Sequence, residues 1–374
     1  MDRSHKLFEL AARRSKPQTR SNTFAEAPIL PPTLPIEIIE RTIDYLHTDK
    51  NALIACSVVC RAWFPTSRWH LYTHVVPVIP VKLGQSCAKV NTAVVLEGGS
   101  VLYGSNKGVY LSRDGTLNRV LKLPAVSQID VLADQELLFV LSRRRLHVVP
   151  LRFVTGPLDP NRRLSVLASD VTFFKVGKHA GSSVICIVKS HRFSAHFEVM
   201  EVTTLEQGDE YGLRPFRSFY LPDRVRSVHI GNKMIGAAVR TGFQCVDPLS
   251  LVTFPLPVVP LVPEPVLDAK KCRAMFRVEE RFLLCYDCCA FYMDKAGTSF
   301  EHAFAIRWSE PAKDFALAAP YLLSFTAGGM HVWRIDTGVH VQTVHGAGIR
   351  LLSSEPRVVV KLGDGRVLGL DCQK

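Results

Sequence analysis

The sequence predicts a multidomain protein, with a small all-α helical module followed by an all-β body, a seven-bladed β-propeller. Three observations carry that expectation. Residues 34–74 place apolar side chains at helical spacing. From about Val75 the pattern changes to short apolar runs separated by turn residues. Those runs fall into seven consecutive units of roughly 36–55 residues, a spacing that suits blades of three or four strands. A β-sandwich does not need so many equivalent units, so radial closure accounts for them better.

The 374 residues suffice for one large domain plus a small one, with a core that needs no staples. With 47% hydrophobic and 21% charged residues, most of the chain should fold. A formal charge of +12 favours acidic partners. Zinc-finger spacing, a homeodomain pattern and an RNA-binding aromatic signature are all missing, so an acidic protein is expected and nucleic acid is not. Ten cysteines and a charged start over residues 1–20 point to reduced thiols in the cytoplasm or nucleus. The most apolar stretch, LVTFPLPVVPLVP, is broken by prolines, and no membrane span is expected.

Residues 1–33 read as a basic disordered tail, with Pro31 and Pro32 blocking any helix that would run into the module. The first helix opens near Pro35, whose fixed φ suits a first turn, with Glu37 placed for the helix dipole. Ile38, Ile39, Ile43 and Leu46 follow one helical face, and His47-Thr48-Asp49 ends it. Asp49 can cap a second helix through Ala52, Leu53 and Cys56. A third carries Val59, Cys60 and Trp63 up to Pro65. So short a helical module makes too small a core to stand alone and calls for a partner over its apolar ends.

The run Leu34-Pro35-x-Glu37-Ile38, then Leu46, Leu53, Val59-Cys60-Arg61-x-Trp63 and Leu71-Tyr72, resembles the F-box. That resemblance implies docking on a Skp-family adaptor, and through it on cullin, with Leu34, Pro35, Ile38, Leu53, Val59 and Trp63 at or beneath the interface. Val59 and Cys60 could equally serve to pack the module internally.

The seven β units open at Val90, Ser127, Asp170, Arg226, Ala274, Asp314 and Ile349. VLYGSNKGVYL, IDVLADQELLFVLSRRRLHVVPL, IGAAVRTGFQCVD, FLLCYDCCAFYMDKAG and APYLLSFTAGGMHVWRIDTGVHVQTVHGAGIRLL resemble the citron homology (CNH) domain. The resemblance spans residues 86–371 and implies a seven-bladed propeller that binds partners such as small GTPases or trafficking proteins.

Signs of catalysis are weak. Gly99-x4-Gly104-Ser105-Asn106-Lys107 has the length of a phosphate loop but lacks the Gly-Lys-Ser/Thr ending, and reads as a β-turn. Gly363-Asp364-Gly365 reads as a hairpin turn. Cys285-x-x-Cys288-Cys289, with Cys272 nearby, lacks a downstream ligand pair, and Cys285 alternates as a core strand residue would. The thirteen histidines are scattered. Arg143-Arg144-Arg145 falls at a hairpin tip, and the proline-rich stretch from Pro255 to Pro265 connects two blades.

The resulting expectation is a non-catalytic substrate receptor of an SCF-type ubiquitin ligase. The helical module would dock on the adaptor and the propeller would bind an unnamed substrate, with no cofactor or metal. The alternative is a small-GTPase-binding or vesicle-trafficking scaffold built on the CNH-like domain.

Overall fold

Each of the seven predicted units supplies three strands of a four-stranded antiparallel sheet. The computed structural model describes residues 36–46, 52, 55–56, 78–83, 89–156, 164–204, 211–256, 271–294 and 300–372. The chain divides into two units between His74 and Val75, and each is described by itself.

In the first unit, helix α1 (Ile36–Tyr45) forms where the apolar spacing predicts it. Ile43 is buried and Ile38 is 46% exposed. Thr42 donates its hydroxyl to the Ile38 carbonyl, one turn back. Ala52, Ala55 and Cys56 are helical, and the rest of the predicted second and third helices lies outside the described residues.

The second unit is the propeller. Strand β1 (Val78–Lys82) precedes the first blade. Blade 1 holds β2 (Val90–Val95), β3 (Val101–Ser105), β4 (Gly108–Arg113) and β5 (Thr116–Leu121). Blade 2 holds β6 (Val126–Leu132), β7 (Leu137–Ser142), β8 (Arg145–Pro150) and β9 (Ser165–Ala168), with a short helix α2 (Arg152–Thr155) between the last two. Blade 3 comprises β10 (Phe173–His179), β11 (Ser182–Ser190), β12 (Ala195–Thr204) and β13 (Tyr211–Leu221). Blade 4 is formed by β14 (Val225–Ile230), β15 (Ile235–Val239), β16 (Phe243–Val246) and β17 (Thr253–Leu256). Blade 5 runs β18 (Cys272–Val278), β19 (Arg281–Tyr286), β20 (Cys289–Asp294) and β21 (Phe300–Arg307). Blade 6 runs β22 (Asp314–Ala318), β23 (Tyr321–Phe325), β24 (Gly329–Arg334) and β25 (His340–His345). Blade 7 takes β26 (Arg350–Ser353), β27 (Val358–Lys361) and β28 (Val367–Cys372) from the C-terminal end, and its outer strand is β1.

The second strand of a blade lies between neighbouring blades on both faces, so its apolar run is nearly continuous. All six residues of β7 are buried, as are all five of β3 and of β15. Seven apolar clusters result, one at each blade interface. The seventh joins Val90 and Tyr103 of blade 1 to Val359 and Val367 of blade 7, and so closes the ring. Close approach needs small residues in places. A Cβ on Gly236 would run into the Met275 side chain of blade 5.

Prolines mark the outer strands. Pro80, Pro215 and Pro255 lie in β1, β13 and β17, where one backbone edge is free. In β1, Pro80 pairs with Leu370 and lacks an N–H, so its nitrogen belongs on the solvent side. Alternation then turns the N–H groups of Ile79 and Val81 towards β28.

We expect Val81→Pro to lower stability by about 1–3 kcal/mol, the cost of a lost ladder bond and its stranded partner. Urea denaturation of the full chain checks this, with Lys82→Ala as the control that keeps the ladder.

Candidate functional site

An innermost strand has no partner strand on the side facing the axis, so its backbone groups must be satisfied by side chains. Cross-blade bonds show how. The Asn91 amide donates to the Val126 carbonyl (2.9 Å). The Gln128 side chain donates to the Phe174 carbonyl (2.7 Å) and accepts from the Phe174 N–H (3.2 Å). The Ser227 hydroxyl donates to the Arg273 carbonyl (2.7 Å). These bonds join equivalent positions on adjacent inner strands, which therefore run in one direction around the channel.

Near their first residues the inner strands are repeatedly bulged. The register shifts between Val90 and Thr92, Val126 and Gln128, Val225 and Ser227, Cys272 and Ala274, and Leu351 and Ser353. A bulge re-aims the extra residue. Those extra residues include Asn91 and Ser127 in blades 1 and 2, but Arg226 and Arg273 in blades 4 and 5.

At this mouth a cleft of about 630 Å³ is lined by Arg192, Arg224, Arg226, Arg240, Arg273 and Lys313, with Asp314 as its one carboxylate. Arg240 lies 3.7 Å from Asp223, which also accepts from the backbone of Arg224 and from both N–H and hydroxyl of Thr241. The Arg273 Nε is buried with no hydrogen-bond partner. Burial raises the Asp314 carboxyl above its ordinary value, although the side chain keeps an opening to solvent, and Arg273, Lys313 and Arg350 oppose the shift.

Further down the inner strands lie other charged and titratable groups. Lys175 Nζ is 3.3 Å from Glu355. Burial pushes Asp130 up to about 6, with Lys175 working against it. Burial, helped by Lys175, takes His229 down to about 4. The mouth is an anion-attracting surface, and the deeper part is a half-buried cluster of charged and titratable groups.

The motifs singled out in the sequence lie elsewhere. Arg143 and Arg144 form a two-residue turn with positive φ (47° and 63°), a conformation costing non-glycine residues about 1 kcal/mol each. It is held by Arg144 Nη2 donating to the Asp170 carbonyl and the Val171 N–H donating to the Arg144 carbonyl. Cys285 and Cys289 are buried in blade 5. Cys288 Sγ lies 3.6 Å from Cys289 Sγ. Burial pushes the Cys272 thiol up to about 12 and Cys285 well above its ordinary value, the opposite of what a metal thiolate needs. Among the described residues no group of three His, Cys, Asp or Glu is placed to hold a metal. Of the expected adaptor contacts, Ile38 is exposed on α1, whereas Leu34, Pro35, Leu53, Val59 and Trp63 lie outside the described residues.

The CNH domain family matches residues 97–355, well over half of the chain. The chain belongs to the CNH domain family. The solved structure of the AfRom2 CNH domain aligns with a TM-score of 0.68 and 25% identity, covering 78% of this chain and 98% of that one. Rho1 guanine nucleotide exchange factor 1 of Schizosaccharomyces pombe is 28% identical over 312 residues, which are 76% of this chain and 23% of the relative. Rho1 guanine nucleotide exchange factor 2 of the same organism is 26% identical over 301 residues, 74% of this chain and 26% of the relative. The chain thus spans about a quarter of the length of these relatives.

These matches correct the functional expectation. The SCF ubiquitin-ligase assignment, with its Skp-family adaptor and cullin partners and its non-catalytic adaptor role, is overturned by relatives that are exchange factors. The physical reason is the unequal weight of the two signals. The F-box-like run rests on about forty residues of apolar spacing, a pattern that many partner-binding segments satisfy. The CNH match follows the alternation and turns of the whole propeller. In the sequence Arg226 reads only as the first residue of a strand and Arg273 falls just ahead of one, because a bulge leaves no mark in an alternation pattern.

Asp130 supplies a pH test. Its folded pKa is raised from 3.8 to about 6, so folding favours the protonated form. The stability this group confers is complete below about 4 and is lost as pH rises through about 6, a loss of about 3 kcal/mol. We expect Asp130→Asn to be more stable than wild type at pH 7 and indistinguishable from it near pH 4, by urea denaturation across that range.

Proposed function

We propose that the CNH propeller takes part in guanine-nucleotide exchange on a Rho1-type small GTPase, as the segment that docks the GTPase. The observation that carries this is the alignment of about three-quarters of the chain with Rho1 exchange factors. The closed ring supports it, since a rigid multi-blade surface suits recognition of a folded partner. The net charge of +12 favours an acidic partner surface. We further infer that residues 34–74 form a separate helical segment ahead of the propeller, a reading supported by α1 and by the division of the chain after His74. The free thiols of the described cysteines, most of them buried, suit a cytoplasmic site of action.

The test is binding of the full chain to a Rho1-type GTPase in its GDP-loaded, GTP-loaded and nucleotide-free forms, by surface plasmon resonance. Release of a fluorescent GDP analogue is followed in the same samples. We expect one nucleotide state to bind about tenfold or more tightly than the others, a coupling of about 1.4 kcal/mol. Equal affinity for all three states, or no binding, would overturn the proposal.

A further inference from the structure

The basic cleft at the channel mouth has properties that GTPase docking does not require. Its cations come from separate stretches of blades 3, 4, 5 and 6, so the fold alone brings them together. Arg226 and Arg273 occupy the same bulge position on adjacent inner strands. Among the described residues, Arg224, Arg226, Arg273 and Lys313 have no carboxylate within salt-bridge distance, and Arg240 shares Asp223 with three other donors. Like charges held this close repel one another, so the arrangement is stabilised by an anion. The cleft is concave and of small-molecule size, and Phe173, Val225, Phe315 and Leu351 add apolar wall. Guanidinium forks match phosphate oxygens two at a time, and several forks converging on one cleft suit more than one phosphate.

We propose that this cleft binds a small ring-based ligand carrying two or more phosphate groups, with Arg226 and Arg273 as its central contacts. The ligand is either a soluble polyphosphorylated ring or the same chemistry carried as a lipid headgroup. The proposal stands independently of the GTPase reading.

Isothermal titration calorimetry of the full chain with inositol hexakisphosphate tests it. The Arg226→Ala/Arg273→Ala pair is compared with Lys178→Ala/Lys233→Ala, an equal loss of charge at the opposite ends of the inner strands. We expect saturable binding by wild type, weakening of about tenfold or more in the cleft pair and an unchanged Kd in the control pair. Arg273→Lys, which keeps the charge but loses the fork, should fall between wild type and the cleft pair. Thermal melts check folding. If the double variant melts early, the exposed Arg226→Ala alone carries the comparison.

Co-sedimentation with phosphatidylcholine vesicles separates the two sources. Vesicles containing phosphatidylinositol bisphosphate that bind wild type but not the cleft variant identify a lipid headgroup. Binding of the soluble probe without vesicle binding identifies a soluble ligand. Failure to bind either probe, equal weakening in both variant pairs, or displacement of the soluble probe by polyglutamate at equal affinity would each overturn the proposal. The last of these would mark an acidic-peptide site instead.

Discussion

Burial of both faces of every sheet between its neighbours is the interaction on which this structure depends. A single four-stranded sheet of this length has two apolar faces and cannot stand in water, and an open stack would leave two such faces exposed. Closing the stack into a ring removes both. The seventh cluster, in which Val90 and Tyr103 meet Val359 and Val367, has the same character as the other six. The ladder between β1 and β28 then ties the start of the propeller to its end through five residue pairs. Every blade consequently depends on contacts made at large sequence separation.

Closure has a price at the axis. Seven inner strands each present an unpaired backbone edge to the channel, and at blades 2, 3 and 5 a side chain from the preceding blade bonds to it. Gln128, with its paired bonds to the Phe174 backbone, is the clearest instance. Bulges open five of the seven inner strands, and each bends its strand locally where it enters the ring. Once bulges exist there, the identity of the extra residue is free to vary. On blades 1 and 2 it is Asn91 and Ser127, on blades 4 and 5 it is arginine, and the mouth becomes electrostatically lopsided.

The CNH family relationship and the geometry inform function at different levels. The alignment shows this propeller to be similar to about a quarter of each of two Rho1 exchange factors. The unpaired guanidinium groups at the channel mouth instead concern a specific class of ligand. A propeller can serve both, because its outer surface and its axial mouth are separate.

The apolar alternation of the three inner strands in each unit was legible in the sequence. The second strands are packed on both faces, so burial dictates nearly every side chain, as in LLFVLS and IGAAV. The outer strands were not legible. TLNRVL, SVLA and HVQTVH face solvent on one side, and the weak constraint leaves no sharp period. The strand VIPVK is the extreme case, since its partner lies almost three hundred residues away and nothing local announces the pairing. Family membership was likewise readable, because turns and strand spacing recur along most of the chain. The helical module misled, because amphipathic spacing specifies a helix and not its partner. Only the tertiary structure decided where the ring closes and which arginines share a mouth. Both depend on distances between residues far apart in the chain, which no periodicity in the sequence encodes.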